Sequence, residues 1–312
     1  MKPLISIIIP VYNVDKYLVR ALTSITNQTL QNIEILCVDD CSTDNSLEIL
    51  EDFSKKDTRI KVFKHNQNLG VSCARNTALK YAKADYLMFL DPDDYVVSKF
   101  CEKMYETITK DNLDLVVCGV NVEIANDMTY NRGYSNEKNY ANINTNWVWN
   151  KIFKKDLIVK HDIKFPEGLL GEDAYFCNCY KLVSNNKFST IDEKLYTYYV
   201  RKDSLMSTID TPDNNVMLDC FKIGNLTYNF FKKHNSLDKV YTSFFRSINY
   251  GINHFTEKNY DMLANEIHKL LLDKPEIKIG DDCFVVNNTE FTINKDVFDK
   301  VKLLEIEKHL DY

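Results

Sequence analysis

Residues 86–97 read YLMFLDPDDYVV. An apolar and aromatic run with the character of a buried strand ends here in Asp91, Asp93 and Asp94. Like charges this close repel, and each raises the cost of ionising the others. A strand that stops this way is built to meet positive charge. Its neighbours show what kind of sheet it belongs to.

Upstream, residues 4–9 read as an isoleucine-rich strand, followed by Val14, Tyr17, Leu18, Ala21, Leu22 and Ile25 at helical spacing. NIEILCV (32–38) is a second strand that ends at Asp39-Asp40, and Ser42 or Thr43 is placed to cap the helix after it. RIKVFKH (59–65) is a third strand, 71–82 a helix, 84–90 the strand of the opening stretch, 96–109 a helix and 113–120 a fifth strand. This alternation predicts βαβ units and an α/β fold with a mainly parallel central sheet. In such sheets ligands bind beyond the carboxyl ends of the strands. That one edge gathers Pro10-Val11-Tyr12-Asn13, Asp39-Asp40 and the 91–94 cluster.

From about 125 to 150 the sequence is Asn-rich and turn-prone. GEDAYF (171–176) opens a helix at Glu172, and an aromatic strand then runs into Arg201 and Lys202. Beyond 212 the pattern is mostly helical, with a small β segment near 283–293, so the domain boundary is expected near 210.

The 312 residues carry a net charge of -6, which argues against nucleic acid as a partner, since phosphate binding wants a basic surface. Nine cysteines form no C-x-x-C pair, and several lie inside apolar runs; they read as reduced core residues of a cytoplasmic protein. The N-terminal MKPLISIIIP is too short and lacks the small-residue cleavage site of a secretory signal, so it reads as a first buried strand. No apolar stretch approaches the roughly 20 residues that span a bilayer.

Several residues carry alternative readings. Asp91-x-Asp93 is either a solvated, helix-capping loop or a set of hard oxygen ligands suited to Mg²⁺ or Mn²⁺. Asp40 either leads into a cap or accepts from the imino N–H of a base. Tyr12 is either core or a stacking surface for a ring. Glu172 and Asp173 either favour a helix dipole or supply a general base. Arg201 and Lys202 are either surface charges or counter-charge for a diphosphate. No G-x-S-x-G occurs and nothing suggests a nucleophile triad, and the lack of a G-x-G-x-x-G or Walker loop weakens the dinucleotide and NTPase readings.

Taken in order, ISIIIPVYNVDKYL, SITNQTLQNIEILCVDDCSTDNS, NLGVSCARNTAL, YLMFLDPDDY, WNKIF and GEDAYF resemble the family 2 glycosyltransferases of GT-A fold. The likeness is dense over 4–120, continues to about 205 and is absent beyond. It implies a GT-A catalytic domain over 1–210, with 211–312 left as an acceptor, membrane or self-association surface. Within the family the chain looks most like bacterial enzymes of lipo-oligosaccharide, capsule or exopolysaccharide assembly, including β-1,3-galactosyltransferases. The resemblance implies a UDP-sugar donor, a glycan or lipid-linked glycan acceptor, inversion at the anomeric carbon, and Mn²⁺ or Mg²⁺.

By matching motif position, Pro10 and Tyr12 would lie against the uracil, Asp40 would accept from its N3–H, and Arg75 would sit near the nucleotide. Asp91 would approach ribose or metal, Asp93 would coordinate the metal, and Asp173 would be the base. Glu172, Trp149, Lys151 and Arg201 are further candidates for diphosphate or acceptor contacts. A cytoplasmic enzyme, with peripheral contact to the inner membrane face or a homodimer left open, fits this picture. Cys41 stands where the family commonly has Gly, which implies a backbone without positive φ there. Pro92 replaces the usual small polar residue and should stiffen the loop. The competing readings are a sugar nucleotidyltransferase, which should carry a Gly-rich loop for triphosphate, and a non-catalytic nucleotide-sugar-binding protein.

Overall fold

The computed structural model describes residues 2–125, 138, 140–184, 186–202, 204 and 216–236. It also describes 264–265, 267–269, 271, 274, 277–280, 283–286, 289–292 and 295–310. The turn-prone reading of 126–137 and the helical reading of 237–263 lie outside these residues. The chain divides into two compact units, 1–168 with 172–204, and 169–171 with 205–312.

The first unit is built on one eight-stranded sheet in the order β3-β2-β1-β4-β7-β6-β8-β5. Its strands are β1 (Ile5–Val11), β2 (Ile33–Asp39), β3 (Ile60–Lys64), β4 (Tyr86–Phe89), β5 (Tyr95–Val96), β6 (Leu115–Ile124), β7 (Lys151–Lys154) and β8 (Phe188–Val200). Helices α1 (Asp15–Thr26), α2 (Ser46–Lys56), α3 (Val71–Tyr81), α4 (Phe100–Lys110), α5 (Lys155–Lys160) and α6 (Glu172–Val183) connect them. β1 to β4 pair in parallel, whereas β7 runs antiparallel to both β4 and β6. Every residue of β1 and β2 is buried, which is what a parallel strand covered on both faces requires. In α1 the buried Leu18, Ala21, Leu22 and Ile25 form the expected apolar stripe. In α3 the buried stripe is small and polar, with Ser72, Ala74 and Ala78 flanking Arg75 and Asn76. Small side chains let this helix lie close on β1 and β2 while one long guanidinium reaches past them.

Three local expectations need correction. The helix expected from 96 begins at Phe100, because Tyr95 and Val96 instead pair with Thr197 and Tyr196 as the sheet's edge strand. Ser42 and Thr43 do not cap α2: Asp44 Oδ1 accepts from the Ser46 N–H at 2.9 Å, while Ser42 Oγ accepts from the Asn13 N–H. Cys41 does adopt a positive φ of 63°, a conformation that costs a non-glycine residue about 1–2 kcal/mol. The turn is held regardless, because Asp39 Oδ2 accepts from the next N–H, that of Ser42.

The described part of the second unit comprises α7 (Val216–Lys233), three short strands β9 (Lys278–Ile279), β10 (Phe284–Val286) and β11 (Thr289–Phe291), and α8 (Lys295–Leu310). Among the described residues, no helix is long and apolar enough to cross a membrane.

Candidate active site

The parallel strands all deliver their carboxyl ends to one edge. Val11 lies opposite Asp39 and Ile8 opposite Phe89, so Tyr12, Asp40 and Asp91 emerge side by side. Tyr12 is 43% exposed and offers an open ring, whereas Pro10 is buried within β1. The stacking role expected of Tyr12 therefore has a surface available to it.

Asp40 is held by groups of the chain itself. It is buried; Oδ2 accepts from the Gly70 N–H at 2.7 Å, Oδ1 accepts from the Leu69 N–H at 3.0 Å, and His65 Nδ1 lies 2.6 Å from Oδ1. In this arrangement the carboxylate anchors the turn before α3. Gly70, at φ 89°, supplies the backbone conformation this turn needs. His65 was not singled out in the sequence. Its position just past the end of β3, parallel to β2, is the signal that places it on this rim.

The centre of the site is Arg75. Nη1 donates to Glu172 Oε1 at 2.9 Å and to Asp173 Oδ1 at 2.7 Å, and Nη2 donates to Asp91 Oδ1 at 3.0 Å. The guanidinium is buried, 5.2 Å from the centroid of the Phe165 ring. Burial by itself would favour the neutral form, but Asp173, Asp91 and Glu172 outweigh it and hold Arg75 charged. Burial pushes Asp173 up to about 6, against the opposing pull of Arg75, with Glu172 adding to the rise. Burial also pushes Asp91 up to about 6, with Asp173 and Asp93 adding to the effect. Arg75 thus contacts the carboxylates of both motifs, a role the sequence did not show.

Asp93 and Asp94 diverge. Asp93 Oδ2 accepts from Arg201 Nε at 2.7 Å, and that guanidinium lies 4.7 Å from the Tyr17 ring centroid. Asp94 is buried, accepting from the Tyr196 hydroxyl and the Tyr199 N–H, both at 2.7 Å. Burial and the adjacent Asp93 and Asp91 raise its carboxyl well above the ordinary range. Asp94 braces the loop from inside. Arg20, also missed in the sequence, donates to the Asp93 carbonyl oxygen at 3.0 Å and stacks on Tyr199.

Trp149 and Lys151 require correction as expected ligand contacts. Trp149 is buried, stacked on Trp147 at 4.8 Å and on Tyr196 at 4.5 Å. Lys151 is fully buried, and its ammonium donates to Thr145 Oγ1, the Trp147 carbonyl and Asn150 Oδ1. Neither side chain reaches a solvent-facing ligand. Both sit in the core of β7 and the segment before it.

The donor set suits a hard divalent cation. Four carboxyls (Asp91, Asp93, Glu172 and Asp173) face the two guanidiniums of Arg75 and Arg201, which leaves acidic groups in excess of basic ones here. Among the described residues no three acidic, His or Cys side chains already converge on one point. Asp91 and Asp93 would hold an ion whose remaining ligands are phosphate oxygens and water, the usual mode for Mg²⁺.

The sequence matches the profile of Glycosyl transferase family 2 over residues 6–165, which spans the sheet edge and most of this site. The chain belongs to glycosyltransferase family 2. It is 34% identical over 220 residues to the glycosyltransferase EpsJ of Bacillus subtilis, a match covering 66% of this chain and 63% of EpsJ. It is 34% identical over 223 residues to the poly(ribitol-phosphate) beta-glucosyltransferase of Bacillus spizizenii, covering 68% of this chain and 34% of that protein. The chain therefore spans less than two thirds of the length of these relatives. The crystal structure of S. aureus TarS 1–349 in complex with UDP-GlcNAc superposes with a TM-score of 0.60 at 21% identity, covering 93% of this chain and all of that one. The family 2 chain has the GT-A fold.

Proposed function

We propose that this chain is an inverting, metal-assisted transferase that moves a hexose or N-acetylhexosamine from a UDP-sugar to a hydroxyl of a bacterial surface glycan. The observation that carries the reading is that one buried guanidinium holds both Asp91, at the donor edge, and Asp173, the candidate base. That juxtaposition is what a single displacement needs. UDP as the donor nucleotide is supported by the complex of TarS with UDP-GlcNAc, and a glycan acceptor by the poly(ribitol-phosphate) beta-glucosyltransferase. Membership of the family displaces the nucleotidyltransferase reading.

Tyr12 stacks on the base with its exposed ring. Asp91 and Asp93 would hold the divalent cation, which when bound would supply positive charge to the departing diphosphate. Arg201, beside Asp93, supplies further positive charge at the diphosphate. Asp173, oriented by Arg75, takes the proton from the acceptor hydroxyl as it attacks the anomeric carbon from the face opposite the leaving group. An α-linked donor then yields a β-glycoside. The first unit is the catalytic domain, and the second provides an acceptor, membrane or self-association surface.

The test is UDP or GDP release from UDP-glucose, UDP-galactose, UDP-N-acetylglucosamine and GDP-mannose, with Mn²⁺ and with excess chelator. Turnover of a UDP-sugar in Mn²⁺ only is expected, and UDP-galactose as the best donor would support the finer galactosyltransferase reading. Turnover of none of the four, or undiminished turnover in chelator, overturns the corresponding part.

A further inference from the structure

Lys151 is a buried cation for which the proposed reaction has no use. Its ammonium is fully enclosed, and its hydrogen-bond acceptors are all neutral: Thr145 Oγ1 at 2.7 Å, Asn150 Oδ1 at 2.9 Å and the Trp147 carbonyl at 2.5 Å. Burying a charge without a hydrogen-bonded counter-ion is costly, so its retention calls for a return elsewhere. The peptide group between Trp147 and Val148 shows where. Its carbonyl oxygen accepts from Lys151, and its N–H donates to Asp173 Oδ2 at 3.3 Å. The cation and the carboxylate thus sit at opposite poles of one amide.

We propose that Lys151 is a positioning residue for Asp173, acting through the Trp147–Val148 peptide. The ammonium polarises the carbonyl and strengthens the opposite N–H as a donor, because linked hydrogen bonds reinforce one another in a low dielectric. Arg75 then holds Oδ1 and the peptide holds Oδ2, fixing the carboxylate plane from two sides. The Cys177 thiol also donates to the Trp147 carbonyl, at 3.6 Å, which adds a second restraint on the same peptide. The ionisable groups that face Lys151 are Asp173, Cys177 and Lys181 from α6 and Cys118 from β6. Burial lowers Lys151 to about 8, so it remains mostly charged at neutral pH.

The rate arm of the test rests on Asp173 being the base; the spectroscopic arm does not. Labelling with ¹⁵N-valine and ¹³C-carbonyl tryptophan selects the Val148 amide, because Trp147–Val148 is the one Trp–Val pair in the sequence. Lys151→Met and Asp173→Asn should each move that signal upfield. In single-turnover transfer, with the UDP-sugar that the wild type uses best, Lys151→Met should lose at least about tenfold in rate with unchanged UDP affinity. In the Asp173→Asn background it should cost nothing further, since both act on one group. An unmoved amide signal, a wild-type rate or a parallel loss of UDP affinity in Lys151→Met overturns the inference. If Asp173→Asn alone keeps its rate, the base assignment fails, and the amide signal still decides the role of Lys151. Should Lys151→Met not fold, the wild type suffices: its Val148 amide should shift as Lys151 titrates between about pH 7 and 9. Cys177 and Cys118, pushed up by burial to about 11 and about 12, stay protonated in that window. A flat signal there overturns the inference.

Discussion

Arg75 Nη1 lies 2.7 Å from Asp173 Oδ1, and this contact joins a helix from the first half of the sheet to one that begins almost a hundred residues later. Asp173 is thereby kept available as a carboxylate although burial pushes it up to about 6. Asp173→Asn should bind UDP nearly as well as the wild type and lose roughly 10²–10⁴ in transfer rate, the usual worth of a positioned base. Glu172→Gln, which removes only a second partner of Arg75, should lose less. Single-turnover transfer beside UDP calorimetry separates the two, and a reversed order would exchange their roles.

A base at about 6 also predicts a pH profile. The transfer rate should rise with pH through an apparent value near 6 as Asp173 ionises. The stability effect has the opposite sense. In the metal-free protein Asp91 and Asp173 both lie above their ordinary 3.8 when folded, so their contribution is fully present below about 4 and is lost as pH rises through about 6. Rate and melting profiles measured together across this range check both signs. A rate independent of pH from 5 to 7 would refute the assignment.

Removing Arg75 should be severe. Arg75→Met leaves Asp91, Glu172 and Asp173 buried or half-buried without their shared cation, and breaking a buried ion pair costs about 3–5 kcal/mol. Arg75→Lys should recover only part of this, because one ammonium cannot serve the forked geometry that reaches three carboxylates. Urea denaturation measures both.

Metal dependence should run through Asp93. Asp93→Asn keeps the size of the side chain but loses a charged ligand and the ion pair with Arg201. Mn²⁺-dependent UDP binding should weaken sharply, while UDP binding in chelator should change little. Calorimetry with and without Mn²⁺ reads the difference. Equal Mn²⁺ dependence in mutant and wild type would remove Asp93 from the ligand set.

Gly119 tests the sheet that carries the site. A Cβ there would lie 2.6 Å from the Asp192 carbonyl oxygen and 2.9 Å from that of Glu193, at the register shift between β6 and β8. Backbone cannot yield as a flexible side chain does, so Gly119→Ala should destabilise by about 1–3 kcal/mol. Thermal or urea unfolding checks it.

The local sequence determined the α/β alternation, the common edge of β1, β2 and β4, and the placement of Tyr12, Asp91 and Asp93 along it. Those features depend on periodicity and on the rule that parallel strands share a direction, which neighbouring residues suffice to reveal. It also marked Glu172-Asp173 at a helix start, in agreement with α6. Tertiary structure alone decided which charges meet. Arg75 lies on a helix whose buried stripe is otherwise small and polar, and nothing near it in sequence shows that Asp91, Glu172 and Asp173 converge on its guanidinium. Lys151 and Trp149 were candidates by their place in the WNKIF motif, yet stacking and neutral hydrogen bonds enclose them. The positive φ of Cys41 was likewise not visible in the sequence. A carboxylate's partners and a backbone's φ are set by the loops that close around them, and those loops come from distant parts of the chain.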